Sequence, residues 1–296
     1  MTIDLKALIG AKALSQSTSV ALPHLAVIEV TGKDAESFLH GQFTQRLTNL
    51  GDKFVLAAYC QPKGRMLATM RVWRNEEAFF LLIACDLLES FIKRLSMFVL
   101  RSDVKIRVAE ELAVTGCINS TETLPEAEHI AIGANGAVIA RLPNFEGITR
   151  AYCITKTEES CTNTDDTLWH VLDIVSGLGH VEETTREAFV PQWLNFDRAH
   201  GMVFDKGCYP GQEVIARIQH IGKTSRRMFT AVANAVLNLA PNETVLVADE
   251  PATIVTSRVL GDHTFALVVL PAETPADTEL SINETPFIVT QPPYGF

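Results

Sequence analysis

The stretch of this sequence best equipped for chemistry is Asp205-Lys206-Gly207-Cys208-Tyr209-Pro210-Gly211-Gln212-Glu213. A cysteine reacts as its thiolate, and the flanking Lys206 would favour that form of Cys208 if its ammonium lay near the sulfur. Gly207 and Gly211 permit positive φ or a close backbone approach, and Pro210 stiffens the segment. Gln212 and Glu213 fall where a helix or strand can begin, placed to bind the polar edge of a ligand. The bland alternative is a tight turn around a small buried thiol. For a lone cysteine that alternative would prevail, but the density of functional side chains here lowers its weight.

Other chemistry is thinly represented. The six cysteines, Cys60, Cys85, Cys117, Cys153, Cys161 and Cys208, form no C-x-x-C pair and match neither a zinc site, a disulfide scaffold nor a four-cysteine iron–sulfur pattern. A reducing cytoplasm fits them best. His200 and His220 flank the motif without metal-ligand spacing, so no metal site is expected. No G-x-G-x-x-G, P-loop or G-x-S-x-G occurs, which disfavours the common nucleotide-binding and hydrolase classes. The formal net charge of −10 repels phosphate backbones, so direct nucleic-acid binding is not expected. Arg217, His220, Lys223, Arg226 and Arg227 form a basic stretch within this acidic chain, either a solvated connector or an electropositive rim.

The elements that must position the motif follow from the hydrophobic pattern. The 296 residues, 47% hydrophobic and 20% charged, suggest about two domains with ample core. Alternation predicts strands over 25–30, 54–60, 66–73, 78–84, 104–109 and 111–118. Helical spacing joins Ala35, Phe38, Leu39, Phe43 and Leu47 on one face. A second helix is expected after an Asp86/Glu89 capping box, with Leu87, Leu88, Phe91, Leu95, Phe98 and Val99 inward. A third runs over about 167–176, carrying Leu168, Val171, Leu172 and Val175. Beyond 226, short strands around 228–234, 244–248, 253–259, 264–270 and 286–290 read as a small β-barrel or sandwich. The class is α+β. No apolar run reaches membrane-spanning length, and residues 1–19 lack the features of a secretory or organellar leader.

KGCYPGQE matches K-G-C-[FY]-x-G-Q-E, and through it the chain resembles the YgfZ family, folate-binding proteins related to the T protein of the glycine cleavage system. The likeness extends over Val190 to Arg217, including Pro191-Gln192, Asn195 and Gly201. It also takes in Phe38-Leu39-His40-Gly41-Gln42 and the hairpin Cys60-Gln61-Pro62-Lys63-Gly64-Arg65-Met66. The resemblance implies two aminomethyltransferase-like α+β halves over 1–225 around a central channel, with a C-terminal β-barrel over 226–296. It implies tetrahydrofolate or a derivative as ligand, iron–sulfur client enzymes or assembly proteins as partners, and through them tRNA modification, by a cytoplasmic monomer. It places the functional thiol at Cys208, helped by Lys206, and the folate contacts at Trp169, Leu25, Tyr209, Gln212 and Glu213. An indole at Trp169 suits a pterin face, although its apolar neighbours suit core packing equally. Leu25 takes the place of a second aromatic. The basic stretch would hold the folate glutamate tail. The rival readings are a one-carbon aminomethyl transferase and a non-catalytic folate sensor. The transferase needs a carboxylate in the first hairpin, where this chain has Leu67 and Ala68.

Overall fold

The computed structural model describes residue 9 and residues 16–294, apart from 134, 135, 160, 221, 223, 248 and 249. Its first sheet grows from the most hydrophobic strands: β2 (Leu25–Thr31), β3 (Val55–Cys60), β4 (Met66–Arg74), β5 (Ala78–Ala84) and β6 (Lys105–Val108), in the antiparallel order β3-β4-β5-β2-β6. Every residue of β4 from Met66 to Trp73 is buried, so this strand has protein on both faces. The second sheet runs β1-β7-β10-β9-β8, from β1 (Thr18–Ala21), β7 (Leu112–Ile118), β8 (Ile130–Ile132), β9 (Val138–Arg141) and β10 (Arg150–Lys156). The third unit is a closed barrel, β11-β14-β13-β12-β15-β16. Its strands are β11 (Arg226–Ala233), β12 (Thr244–Val247), β13 (Glu250–Leu260), β14 (His263–Pro271), β15 (Thr278–Ile282) and β16 (Thr285–Thr290).

Among the described residues four α-helices pack on this frame: α1 (Ala35–His40), α2 (Leu88–Ser96), α3 (Thr167–Val175) and α4 (Gln212–His220). Helix α3 is the most central, with Trp169 and Val171 through Val175 all buried. On one side it meets the second sheet, where a Cβ on Gly116 would lie 2.4 Å from the Trp169 ring. On the other it meets β13 and β14 of the barrel. The absence of a side chain at Gly116 is therefore what admits the indole.

The structure departs from the sequence pattern at three places. Helix α1 stops at His40, and Phe43 and Leu47 are buried in the loop beyond it. That loop runs along β3 instead, through a Phe43–Tyr59 bridge and a Thr44 N–H bond to the Ala58 carbonyl. The expected capping box at Asp86 and Glu89 does not form. A 3-10 turn over Cys85–Leu87 leads into α2, and Asp86 Oδ2 accepts the Glu183 N–H at 2.9 Å. Helix α2 ends before Phe98, which is 41% exposed. The pattern also predicts nothing at β1, β8, β9, β10 or β15.

Candidate functional site

Where the two sheets, α3 and the barrel converge they leave a narrow chamber of about 40 Å³. Its apolar wall comes from Leu25 at the start of β2, Met70 of β4, Leu82 to Ala84 of β5, and Leu178. Its polar wall comes from His24, His170, Asp173, His180 and Glu182, with Thr256 from the barrel. Two smaller cavities, about 10 and 20 Å³, share Arg71 and Leu178 with it, and the second reaches Asn144 and Tyr294. The three make a central channel. A lining that is mostly apolar with a few convergent polar groups is the kind small-molecule sites present, and the walls must move apart to admit a drug-sized ligand.

The electrostatics of the chamber centre on buried charge. Arg150 is fully buried and donates from Nη1 to Asp173 Oδ1 at 2.6 Å and from Nη2 to Ser176 Oγ at 3.1 Å. Its guanidinium also lies 5.1 Å from the Trp169 ring centroid. Asp173 Oδ2 stands 3.9 Å from His180 Nε2. Burial lowers the affinity of His180 for a proton, and Asp173 opposes that shift. His24 and His170 are lowered from their ordinary value for the same first reason, burial. Glu182 is raised by burial and by Asp86. The chamber thus holds neutral imidazoles beside carboxylates, a set able to donate to and accept from one heterocycle.

The motif lies elsewhere, between α1, the first hairpin and α4. Lys206 donates its ammonium to three carbonyls, those of His40, Phe43 and Gln45, at 2.5–2.9 Å. It also sits 5.1 Å from the Tyr209 ring centroid. Burial, with Arg46 nearby, pulls Lys206 down to about 8, while the three acceptors favour its charged form. This ammonium is a brace that ties the loop to the end of α1. Gly211 has φ +83°, and a Cβ there would lie 2.6 Å from the Gln61 carbonyl oxygen. The two sequence motifs are therefore one structural unit, hairpin against loop, and only glycine fits at the contact. Gln212 Oε1 accepts the Tyr209 N–H at 3.3 Å, closing the turn that begins α4. Tyr209 is buried, its hydroxyl without a partner and shifted upward by burial. Glu213 and Cys208 are exposed.

Of the residues singled out from sequence, the structure brings Leu25 to the chamber wall. Trp169 is 1% exposed and stands behind that wall, its ring 5.1 Å from Tyr152, which does line the chamber. Tyr209, Gln212 and Glu213 belong to the motif loop, and none of them lines the chamber. Leu67 and Ala68 are both buried in β4. The basic stretch does not form a continuous rim. Arg227 holds Asp197 with two bonds of 2.5 and 2.8 Å, Arg226 donates to the Pro251 carbonyl at 2.6 Å, and Lys223 lies outside the described residues. The chamber's polar residues escaped the sequence pattern. Their one local signal is Asp166 followed by His170 and Asp173, at helical three- and four-residue steps on α3.

This architecture, two five-stranded sheets and a barrel around a channel, is that of the glycine-cleavage aminomethyltransferases. The glycine cleavage system aminomethyltransferase T from Bartonella henselae matches it with a TM-score of 0.72 over 96% of this chain and 87% of its own, at 11% identity. No protein-family model matches the chain. An uncharacterized protein of Haemophilus influenzae is 32% identical over 221 residues, 72% of each chain. The tRNA-modifying protein YgfZ of Pectobacterium carotovorum is 25% identical over 307 aligned residues, 92% of each chain. Its namesake in Yersinia pestis is 28% identical over 240 residues, 74% of this chain and 72% of its own. The chain belongs to the YgfZ family.

Proposed function

We propose that the protein binds tetrahydrofolate or a derivative in the central chamber and acts in the cytoplasm as an accessory factor for iron–sulfur enzymes, among them enzymes that modify tRNA. The chamber carries this reading. Leu25, Met70, Leu82 and Leu178 offer apolar surface for the faces of a flat ring. Asp173 and Glu182 bring carboxylates to the same wall, suited to the paired N–H donors on the edge of a pterin. A bound reduced folate would supply one-carbon and redox chemistry at its pterin nitrogens. The chain's own residues orient it and exclude water. The relatives named for tRNA modification and the aminomethyltransferase fold support the same assignment.

Aminomethyl transfer itself is the weaker reading, because Leu67 and Ala68 can neither move a proton nor stabilise a cation. Cys208 is the residue we assign to the work on client enzymes, since it is an exposed thiol on a loop that Lys206 ties to three carbonyls. Its exchange for serine changes one atom of an exposed side chain, so the fold should be unaffected. In cells lacking the protein, Cys208→Ser should express at wild-type level with an unchanged melting curve, yet fail to restore tRNA thiolation. Full rescue by a folded Cys208→Ser protein would leave a folate-sensing module without thiol chemistry.

A further inference from the structure

At the edge of the chamber three side chains from distant parts of the sequence converge. His24 comes from the turn between β1 and β2, Asp166 immediately precedes α3, and His170 lies one turn into that helix. His24 Nδ1 is 3.4 Å from Asp166 Oδ2, and His170 Nε2 is 3.2 Å from the same oxygen. One ligand atom from each residue lies within 4.8 Å of the other two. The two rings face each other with centroids 4.5 Å apart. His24 Nδ1 is sealed from solvent and meets Asp166 Oδ2 as a long contact without a well-formed hydrogen bond. A buried imidazole nitrogen with only a long, poorly aligned contact is a group that a bound ion would satisfy.

We propose that His24, Asp166 and His170 form a binding site for one divalent first-row transition-metal ion. Two imidazoles and one carboxylate are the donor set favoured by zinc and by non-haem iron, with further coordination positions left open. Around a tetrahedral ion with bonds of about 2.0–2.1 Å, ligand atoms stand about 3.3 Å apart. The two contacts to Asp166 already have that spacing, and the two ring nitrogens, within 4.8 Å of each other, close to it on binding. Metal binding also needs neutral imidazoles, and burial lowers both of these from their ordinary value. Asp166 and Asp173 oppose that shift, while Arg258 reinforces it at both rings. His24 and His170 line the chamber, so, on the function proposed above, the ion would border the space assigned to the folate. The competing arrangement is a carboxylate that merely collects hydrogen bonds from two histidines.

Cobalt(II) distinguishes the two, because its visible absorption reports its ligands. The full-length protein, stripped with chelator, is titrated with cobalt chloride while absorption is followed. One equivalent should bind, with visible bands and no thiolate charge-transfer band in the near ultraviolet. His24→Ala and Asp166→Asn should each weaken binding by at least about 100-fold, more than the loss of an outer-shell partner produces. His180→Ala, in the same chamber but outside the triad, should retain it. His24 is a third exposed, so its replacement leaves the core intact, and a melting curve accompanies each variant. Absence of saturable binding by the wild type would overturn the proposal. So would undiminished binding by folded His24→Ala, or a thiolate band that places the ion on cysteine.

Discussion

The motif loop and the chamber, both built on the first sheet, hold their functional groups in opposite ways. At the loop the ties run to main-chain atoms: the Lys206 ammonium braces three carbonyls, Gly211 sits against the Gln61 carbonyl, and one thiol is left exposed. At the chamber side chains do the holding, as a buried Arg150–Asp173 pair, an indole behind the wall and three histidines kept neutral by burial. A loop tied to neighbouring main chain at Lys206 and Gly211 tolerates changes at its exposed side chain. A chamber built from buried charge and packed rings is sensitive to nearly any change in its walls, and to pH.

The largest effect should come from the chamber's backing. Trp169→Ala removes a fully buried indole packed on Gly116 and Tyr152 and leaves Arg150 without its aromatic face. Urea unfolding should show a loss of about 3–5 kcal/mol. A loss below about 1 kcal/mol would show that the ring is not core, and would reopen its use as a stacking surface. At the loop the comparable test is Lys206→Met, which leaves three carbonyls without their charged donor and should cost about 2–3 kcal/mol. An unchanged unfolding midpoint would remove the brace from this account.

How much of this was legible in the sequence follows the same division. The loop is a contiguous run of residues whose types announce a constrained turn, and its partner hairpin carries its own glycine. Strands β4 and β5 and helix α3 were legible because their apolar runs are long. The chamber was not, because its walls come from β2, β4, β5, β10, α3 and β13, and no periodicity links His24 to His170 or Asp173 to Arg150. Lys206 shows the limit of reading neighbours along the chain. Next to Cys208 in sequence it suggests thiolate activation, whereas in space its ammonium is tied to the carbonyls that follow α1. Strand β15, Thr278–Ile282, was missed because its residues are mostly polar and its burial is slight.

A smaller effect concerns pH. In the fold His180 is held below its ordinary 6.5 by burial, so as pH falls the unfolded chain takes up the proton first. Its contribution to stability is complete above 6.5 and is lost as pH falls from there through the lowered value. Melting temperature should therefore drop between about pH 7.5 and pH 5.5, and His180→Gln should flatten that drop. An identical slope in the variant would assign the acid sensitivity to other groups.

The smallest expected effect distinguishes the two kinds of thiol. Cys117 of β7 is lowered from the ordinary thiol value, first by a hydrogen bond from Cys153 of β10. Iodoacetamide near neutral pH should thus label Cys208 through its exposure and Cys117 through its ionisation, ahead of Cys60, which burial raises strongly. Cys153→Ala should slow labelling at Cys117 and leave Cys208 unchanged. Equal rates at Cys117 with and without Cys153 would contradict the hydrogen bond.

The most direct test of the division between a folate chamber and a separate thiol is calorimetric titration with tetrahydrofolate and folinic acid. Three proteins are compared: the wild type, Cys208→Ser, and Ala84→Phe, which fills the chamber from β5. The account predicts one site per chain in the wild type, the same affinity in Cys208→Ser, and loss of binding in a folded Ala84→Phe protein. No heat of binding from the wild type, or full affinity with the chamber filled, would contradict it.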